Sequence, residues 1–273
     1  MKNYFVPVIL AFIAIPGQSQ ENSIGSVSYQ FLHQRDTLST QYYEEQMGLV
    51  FGKQSAVYFS LNKELRDSIM KASFEQQLNQ GSENMKFDLR TMPGVSPGAY
   101  YSFYQEKKAI ILRPYMKIDY VYDQPLTKIN WQIRDDVKDI GNFKCQKAIG
   151  DFGGRSYEAW FCPDIPVSAG PWKLYGLPGL ILEAMDTSKQ VKFIFKQFSI
   201  TDFYKRDIVA LPSQVEKTTK EEFEKMLQAI RDNPEKVLKG VLSEGVTFNA
   251  IKVTPAPRNL FNNPIELPKK KEH

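Results

Sequence analysis

The sequence has little of what most enzyme sites are built from. Of its 273 residues only two are histidine, His33 and His273, and only two are cysteine. No H-E-x-x-H, G-x-S-x-G or glycine-rich phosphate-loop pattern occurs anywhere in it. These absences argue against metal, serine-nucleophile and nucleotide chemistry, and we expect no cofactor, no metal site and no enzymatic activity.

Long apolar runs and strong charge are also missing. No segment of the mature chain approaches 18 uninterrupted apolar residues, so we expect no transmembrane segment there. The formal net charge is only +4, and no dense basic patch is interleaved with aromatic residues, which argues against a nucleic-acid partner. The lysine run 269–271 belongs to a short basic tail, residues 269–273, which we expect to be solvated.

The N-terminus has the pattern of a secretory signal peptide. Lys2 precedes an apolar stretch from Phe5 to Ile15, and Pro16, Gly17 and small or polar residues follow. We therefore predict a signal peptide over residues 1–19, a single β-rich domain over 20–268, and a periplasmic or secreted location. No cysteine lies near the expected cut, so lipid anchoring of the lipoprotein kind is not expected.

What the sequence does have is aromatic residues in alternating patterns. Its 18 Phe and 14 Tyr, with short runs that alternate apolar and polar residues, are typical of strands. We predict a mainly β fold: a single curved antiparallel sheet, or a half-barrel or bowl, with a few covering helices. Helices are predicted over 62–81 and 219–232, the second opened by a capping box of Thr219 and Glu222. A short helix from Asn233 and a last strand over 245–253 are expected to follow.

A β-hairpin is predicted around Gly153-Gly154, a two-residue turn signal between strand-like flanks. Its register places Cys145 opposite Cys162 at a non-hydrogen-bonded site, where side chains approach closely. In an exported chain this predicts a structural disulfide, with two buried free thiols or a redox pair as the alternatives. The same register places Tyr157 opposite Gly150, where its ring would cover the bare backbone.

The stretch WKLYGLPGLILEA, residues 172–184, has two glycines and a proline inside an apolar run. Leu177, Pro178 and Gly179 are typical of a type II turn, which requires a positive φ at Gly179. Gly176 would allow the backbone to pass close to a neighbour. The run from Leu180 to Leu182 does not alternate, so we predict a strand that is buried on both faces.

The segment CQKAIGDFGGRSYEAWFCPDIPVSAGPWKLYGLPGLILEA, residues 145–184, resembles the GLPGLI family of exported Bacteroidetes proteins. The W-Q-I at Trp131 and NNPIEL at 262–267 are also similar to the pattern of that family. The motif that gives the family its name falls here on Gly176, Leu177, Pro178, Gly179, Leu180 and Ile181. The resemblance extends to the N-terminal bowl-like domain of a bacterial peptide-N-glycosidase, which implies a stand-alone bowl of strands and carries no activity over. The family has a small polar residue more often at the position of Cys162, so the disulfide would be particular to this chain.

Three functions are compatible with these features. We favour an exported, non-catalytic binding protein whose sheet holds a glycan, a peptide or an apolar ligand. The candidate binding residues are aromatic: Trp131, Trp160, Trp172, Tyr157 and Tyr175. The first alternative is an accessory subunit that acts on an outer-membrane transporter through protein contacts. The second is a metal-independent hydrolase with paired carboxylates, drawn from Asp135, Asp136 and Glu158.

Overall fold

The computed structural model describes residues 21–80, 93–96, 98–115, 118–200, 211–232 and 262–268. Four predicted segments lie outside the described residues: the signal peptide over 1–19, the short helix from Asn233, the strand over 245–253 and the basic tail over 269–273.

Within the described residues the chain forms twelve strands and two helices. The first six strands are β1 Gly25–His33, β2 Tyr43–Phe51, β3 Ser55–Ser60, β4 Ala99–Phe103, β5 Lys108–Tyr115 and β6 Ile118–Pro125. The others are β7 Gln132–Ile140, β8 Phe143–Phe152, β9 Arg155–Cys162, β10 Leu180–Asp186, β11 Val191–Ser199 and β12 Glu216–Lys217. The helices are α1 Asn62–Asn79 and α2 Lys220–Asp232.

All twelve strands belong to one open sheet, in the order β12-β6-β5-β4-β3-β2-β1-β11-β10-β9-β8-β7. Every neighbouring pair is antiparallel except β12, which runs parallel to β6. The sheet consists of two meanders, β1 to β6 and β7 to β11, joined where β1 pairs with β11. The predicted mainly β fold with a few helices is confirmed, and in the described chain the sheet does not close into a barrel.

Both faces of the sheet carry apolar residues because successive side chains of a strand point to opposite sides. Tyr58 and Tyr100 belong to the larger core cluster, on what we call the first face, and Phe59 and Tyr101 belong to the smaller cluster, on the second face. Residues 163–179, the connector between β9 and β10, bury Leu174 and Leu177 in the larger cluster. The connector therefore covers part of the first face.

The hairpin of β8 and β9 forms in the predicted register. Gly153 and Gly154 have φ values of 57° and 76°, the left-handed conformation that a tight two-residue turn requires. Gly150 is paired with Tyr157 as expected. The ring that covers Gly150 is nevertheless that of Trp131, because a Cβ added to Gly150 would lie 2.6 Å from Cε3 of Trp131.

The predicted disulfide is wrong, since Cys145 and Cys162 are both buried free thiols. Pairing between β8 and β9 ends at Gln146 and Phe161, one pair short of the two cysteines. Beyond that point each cysteine pairs with a different strand, Cys145 with Lys138 on β7 and Cys162 with Leu180 on β10. The register was right, but the ladder does not extend far enough to hold the cysteines as a cross-strand pair.

The two helices match their predicted spans closely, but only α2 matches in its contacts. The capping box of α2 is confirmed: the Thr219 amide donates to the Glu222 carboxylate at 3.0 Å, and the Glu222 amide donates to Thr219 Oγ1 at 3.2 Å. Phe223 is the buried residue of this helix and packs on Tyr120 and Tyr122. In α1, by contrast, Leu65 and other apolar side chains are exposed.

Candidate functional site: a cavity on the first face

A cavity of about 930 Å³ lies between the first face of the sheet, the connector, α2 and residues 262–268. Its volume is within the range of small-molecule sites in proteins. The sheet supplies most of the floor, and the connector supplies Trp172 and Lys173. Eight aromatic residues line it: Phe31, Tyr58, Phe59, Tyr100, Tyr122, Trp172, Phe193 and Phe223.

Three of these rings form an aromatic wall, by which we mean Phe31, Phe193 and Trp172. Phe31 and Phe193 are direct partners across β1 and β11 and stack with centroids 5.2 Å apart. Trp172 continues the stack, 6.4 Å from Phe193 and only 18° from parallel. Trp172 has a φ of 56°, rare for a residue with a large side chain, so the connector holds this ring in a constrained position.

Two residues of the cavity lining each carry a polar atom that is inaccessible and has no hydrogen-bond partner in the described part of the chain. The atoms are Nε2 of His33 and the hydroxyl of Tyr58, and both residues are 6% exposed. Buried polar groups are nearly always paired in native proteins, so each of these atoms calls for an explanation. A third unpaired hydroxyl, that of Tyr157, lies in the core and does not line the cavity.

The His33 ring is neutral at physiological pH because burial lowers its pKa to about 4. Arg35 and Arg155 add to that effect, and Asp186 opposes it. The backbone of Asn263 also acts in the opposite direction and raises the pKa of the ring.

The Tyr58 hydroxyl keeps its proton, because burial raises its pKa well above the usual value, and the nearby Glu45 carboxylate raises it further. Glu45 is itself only 1% exposed and lies beside the cavity. The amide of Ser96 donates to it at 2.6 Å, as does the Tyr43 hydroxyl at 2.8 Å. These neutral donors hold a buried carboxylate in place and attach residues 93–96 to the sheet.

The rim of the cavity carries charges of both signs. Lys173 donates to Gln124 at 3.1 Å and forms an ion pair with Glu266. On the other side, the Arg113 guanidinium lies 6.0 Å from the ring of Phe223 on α2. The cavity therefore has an aromatic interior and a mixed, largely compensated rim.

Residues 262–268 form one wall of the cavity and are held there by Arg155. The guanidinium of Arg155, itself 6% exposed, forms a buried ion pair with Asp186 at 2.8 Å. It also donates to the side chain of Asn263 at 2.5 Å and to the carbonyls of Pro264 and Ile265 at 2.8 and 3.0 Å. We call this set of contacts the Arg155 clasp. It places Ile265 and Glu266 in the cavity lining.

The two glycines of the GLPGLI stretch have the reverse of their predicted roles. Gly176 has a φ of 95°, and a Cβ there would meet only Trp131 Nε1, at 4.0 Å. Gly179 has no positive φ, so the predicted type II turn is wrong. A Cβ on Gly179 would lie 2.2 Å from the Cys162 carbonyl oxygen, so close approach is what requires glycine there. The strand that follows is confirmed, since Leu180, Ile181 and Leu182 are fully buried.

Of the five predicted binding aromatics, only Trp172 lines the cavity. Trp131 donates to the Tyr175 carbonyl at 2.8 Å, and Tyr175 stacks on Tyr104 at 5.7 Å. Tyr157 is fully buried in the core. Trp160 lies 4.5 Å from the Lys138 ammonium and hydrogen-bonds to Glu158. A binding role for these four stays a prediction.

The carboxylates of the hydrolase alternative do not meet in the cavity. Asp135 and Asp136 are exposed on β7, at an irregularity in its pairing with β8. Glu158 forms an ion pair with Lys147 at 2.8 Å. Partial burial opposes its ionisation, but the hydrogen bonds from Lys147 and Trp160 outweigh burial and lower the pKa of Glu158. These three carboxylates therefore do not supply, in the cavity, the pair that acid–base catalysis requires.

Two further properties of the described residues concern metal binding and membrane helices. They contain no group of three or more His, Cys, Asp or Glu side chains arranged to hold a metal ion. Neither described helix has the length and hydropathy needed to cross a membrane.

A model of one protein family matches part of the chain, and its description is "Protein of unknown function (Porph_ging)". The match covers residues 154–183, from the turn of the β8–β9 hairpin through the connector into β10. It therefore includes Arg155 of the clasp, Trp172 and Lys173 of the cavity, and both glycines of the GLPGLI stretch.

Whole proteins that match the chain are found among solved structures. No curated protein matches the chain. Two structures of PNGF-II, in space groups P21 and C2, are similar with 11% sequence identity and a TM-score of 0.48. The matches cover 76% and 77% of this chain and 33% of each PNGF-II chain, so the protein spans about a third of the length of the chains it matches.

Proposed function

We propose that this protein is an exported, non-catalytic binding protein that holds a small ligand in the cavity on its first face. The cavity carries the proposal: about 930 Å³, with a stacked aromatic wall and polar side chains such as Gln124 and Lys173 in its lining. Ligand sites combine these features, an apolar enclosure with a few polar groups that orient the ligand.

The proposal also includes the location of the protein and the family to which it belongs. The N-terminal pattern of Lys2 and the apolar run 5–15 supports export to the periplasm or beyond. The GLPGLI motif at 176–181, the NNPIEL segment and the family match over 154–183 support membership of the GLPGLI family. On this proposal the matched segment serves to build the cavity, since it provides Trp172 and holds residues 262–268 through Arg155.

A blocking substitution on α2 tests the proposal. Leu227 lines the cavity, whereas Ile230, one turn further along the same helix, is equally half-buried and does not line it. The probe is N-phenylnaphthylamine, a neutral apolar dye whose emission rises on entering an apolar site. We expect Leu227→Trp to weaken dye binding at least about tenfold by filling the cavity, and Ile230→Trp to bind like the unaltered protein.

Native mass spectrometry of protein purified from its own cell envelope then identifies what the cavity holds. A ligand that is retained by the Ile230→Trp variant and lost from the Leu227→Trp variant supports the proposal. Equal dye binding by the two variants, or dye binding by neither variant nor the unaltered protein, would overturn it.

A further inference from the structure

We infer that the ligand of the cavity is an anionic amphiphile, a molecule whose alkyl chain lies along the first face and whose carboxylate or phosphate group binds the Arg113 guanidinium. The inference rests on the proposed function of the same cavity and names the chemical class of the ligand. Two observations carry it. They are a row of apolar side chains across the cavity floor and, at one end of that row, a cation that has no carboxylate partner among the described residues.

The floor of the cavity contains a row of apolar side chains that we call the apolar track. Its members are direct cross-strand partners on four neighbouring strands, β3 to β6: Tyr58, Tyr100, Ile111 and Tyr122. All four line the cavity. Since neighbouring strands are about 4.8 Å apart, the track is about 14 Å long, which is about the length of an extended twelve-carbon chain.

The apolar track connects the aromatic wall to the opposite end of the cavity. At its first end Tyr58 contacts Phe193 of the wall edge-on, with ring centroids 6.5 Å apart. At its other end Tyr122 packs against Phe223 of α2, with centroids 6.2 Å apart. A compact ligand would contact only one of these ends, whereas an alkyl chain covers the whole track and removes its apolar surface from water.

The charged side chains of the lining favour an anionic headgroup. Five basic and three acidic side chains line the cavity: Arg35, Arg113, Lys173, Lys220 and Lys225 against Glu221, Glu224 and Glu266. Lys173 forms an ion pair with Glu266, and Lys220 lies 3.9 Å from the Glu224 carboxylate. Because the basic side chains outnumber the acidic ones, an excess of positive charge remains after these pairs have formed.

Arg113 is the cation placed to bind the headgroup. It follows Ile111 by two positions on β5 and therefore lies on the same face, with its guanidinium 6.0 Å from the ring of Phe223. It is half-buried and has no carboxylate partner in the described part of the chain. A guanidinium donates two parallel hydrogen bonds to a carboxylate or a phosphate, and partial exclusion of water strengthens them. The apolar track thus ends beside a group that binds anions.

The experiment compares four probes that share a twelve-carbon chain: dodecanoate, dodecyl phosphate, dodecanol and dodecylammonium, all below the concentration at which they form micelles. Binding is measured by displacement of N-phenylnaphthylamine from the full chain. We expect both anions to bind at least about tenfold more tightly than dodecanol and dodecylammonium, because only an anion accepts charge-assisted hydrogen bonds from Arg113. The tighter of the two anions identifies the headgroup as a carboxylate or a phosphate.

Two methionine variants test whether the preference for anions comes from the cavity. Arg113→Met and Lys108→Met each remove one positive charge from β5, but only Arg113 lines the cavity. We expect Arg113→Met to weaken binding of both anions about five- to tenfold and to leave the dye and dodecanol unchanged. Lys108→Met serves as the matched control, with all affinities unchanged. The comparison of the four probes on the unaltered protein tests the inference even if Arg113→Met does not fold.

Binding of dodecanol or dodecylammonium as tight as that of the anions overturns the inference, as do equal effects of the two methionine variants on the anions. If the dye binds and is blocked by Leu227→Trp but none of the four probes displaces it, the inference fails and the proposed function stands. If the dye does not bind at all, both fail.

Discussion

At the scale of single residues, Gly176 and Gly179 hold the same segment in shape for different physical reasons. Gly176 adopts a left-handed conformation with open space around it. Gly179 lies against the Cys162 carbonyl oxygen, where any side chain would overlap the backbone. A backbone clash has no rotamer that relieves it, whereas an unfavourable φ costs a fixed, modest amount.

Alanine substitutions distinguish the backbone clash at Gly179 from the left-handed conformation at Gly176. We expect Gly179→Ala to lower the free energy of unfolding by about 3 kcal/mol, because its Cβ would overlap the Cys162 carbonyl. Gly176→Ala is the control and should cost only about 1–2 kcal/mol, the usual cost of the left-handed conformation. Urea denaturation of both variants measures the difference. A larger loss for Gly176→Ala than for Gly179→Ala would show that the contact at Gly179 is not the constraint.

His33 makes stability depend on pH. Its pKa is about 4 in the folded protein and near 6.5 when unfolded, so between these values the unfolded chain binds more protons than the folded one. Stability is therefore complete above about pH 6.5 and is lost as the pH falls towards 4, by up to about 3 kcal/mol from this residue. Urea denaturation across this window should show the loss in the unaltered protein and a reduced loss in His33→Gln. Parallel curves for the two proteins would contradict the assignment.

At the scale of elements, the β8–β9 hairpin forms without a disulfide. Its turn, register and packing are complete with two buried thiols, and burial raises the pKa of the Cys145 thiol to about 12. The hairpin therefore depends on Gly153, Gly154 and its pairing with β7 and β10 rather than on a covalent link.

Thiol titration tests the free cysteines. Protein prepared without reductant and unfolded in denaturant should react with two equivalents of a thiol reagent per chain, and dithiothreitol should leave Tm unchanged. The folded protein should react slowly, because both thiols are buried and the thiolate of Cys145 is disfavoured. No reactive thiol in the unfolded chain, together with a Tm that falls on reduction, would contradict this account.

The Arg155 clasp is the element-scale contact on which the cavity wall depends. Arg155→Met leaves Asp186 buried without a charged partner, and we expect a loss of about 3–5 kcal/mol in the free energy of unfolding. The double variant Arg155→Met, Asp186→Leu should recover part of this loss. Hydrogen exchange should also show faster exchange at residues 262–268, which Arg155 holds.

A matched control for the clasp is the ion pair of Lys147 and Glu158, which has the same 2.8 Å separation but is only half-buried. Lys147→Met should cost much less than Arg155→Met, since water reaches both partners of the half-buried pair and solvates the carboxylate that remains. Equal losses for the two variants, with no change in exchange at 262–268, would show that Arg155 does not hold the wall.

The features predicted correctly from the sequence are those set by neighbouring residues. Gly153-Gly154 is sufficient to specify the hairpin register, and Thr219 with Glu222 is sufficient to begin α2. Gly179, by contrast, was misread because its constraint comes from Cys162, on another strand. The strand β7, which carries Asp135 and Asp136, cannot be recognised from its sequence, because this exposed edge strand lacks the apolar alternation that identifies strands.

At the scale of the whole molecule, the site exists because two meanders join at β1 and β11. This pairing brings Phe31 next to Phe193 although 162 positions separate them in the chain, and the connector then adds Trp172 to the stack. No local pattern in the sequence indicates such a long-range contact.

The central claim is that the cavity on the first face binds a small ligand, and a crystal structure of the protein with N-phenylnaphthylamine tests it most directly. The account predicts the dye inside the cavity, against the aromatic wall of Phe31, Phe193 and Trp172. Dye bound only outside the cavity would contradict it.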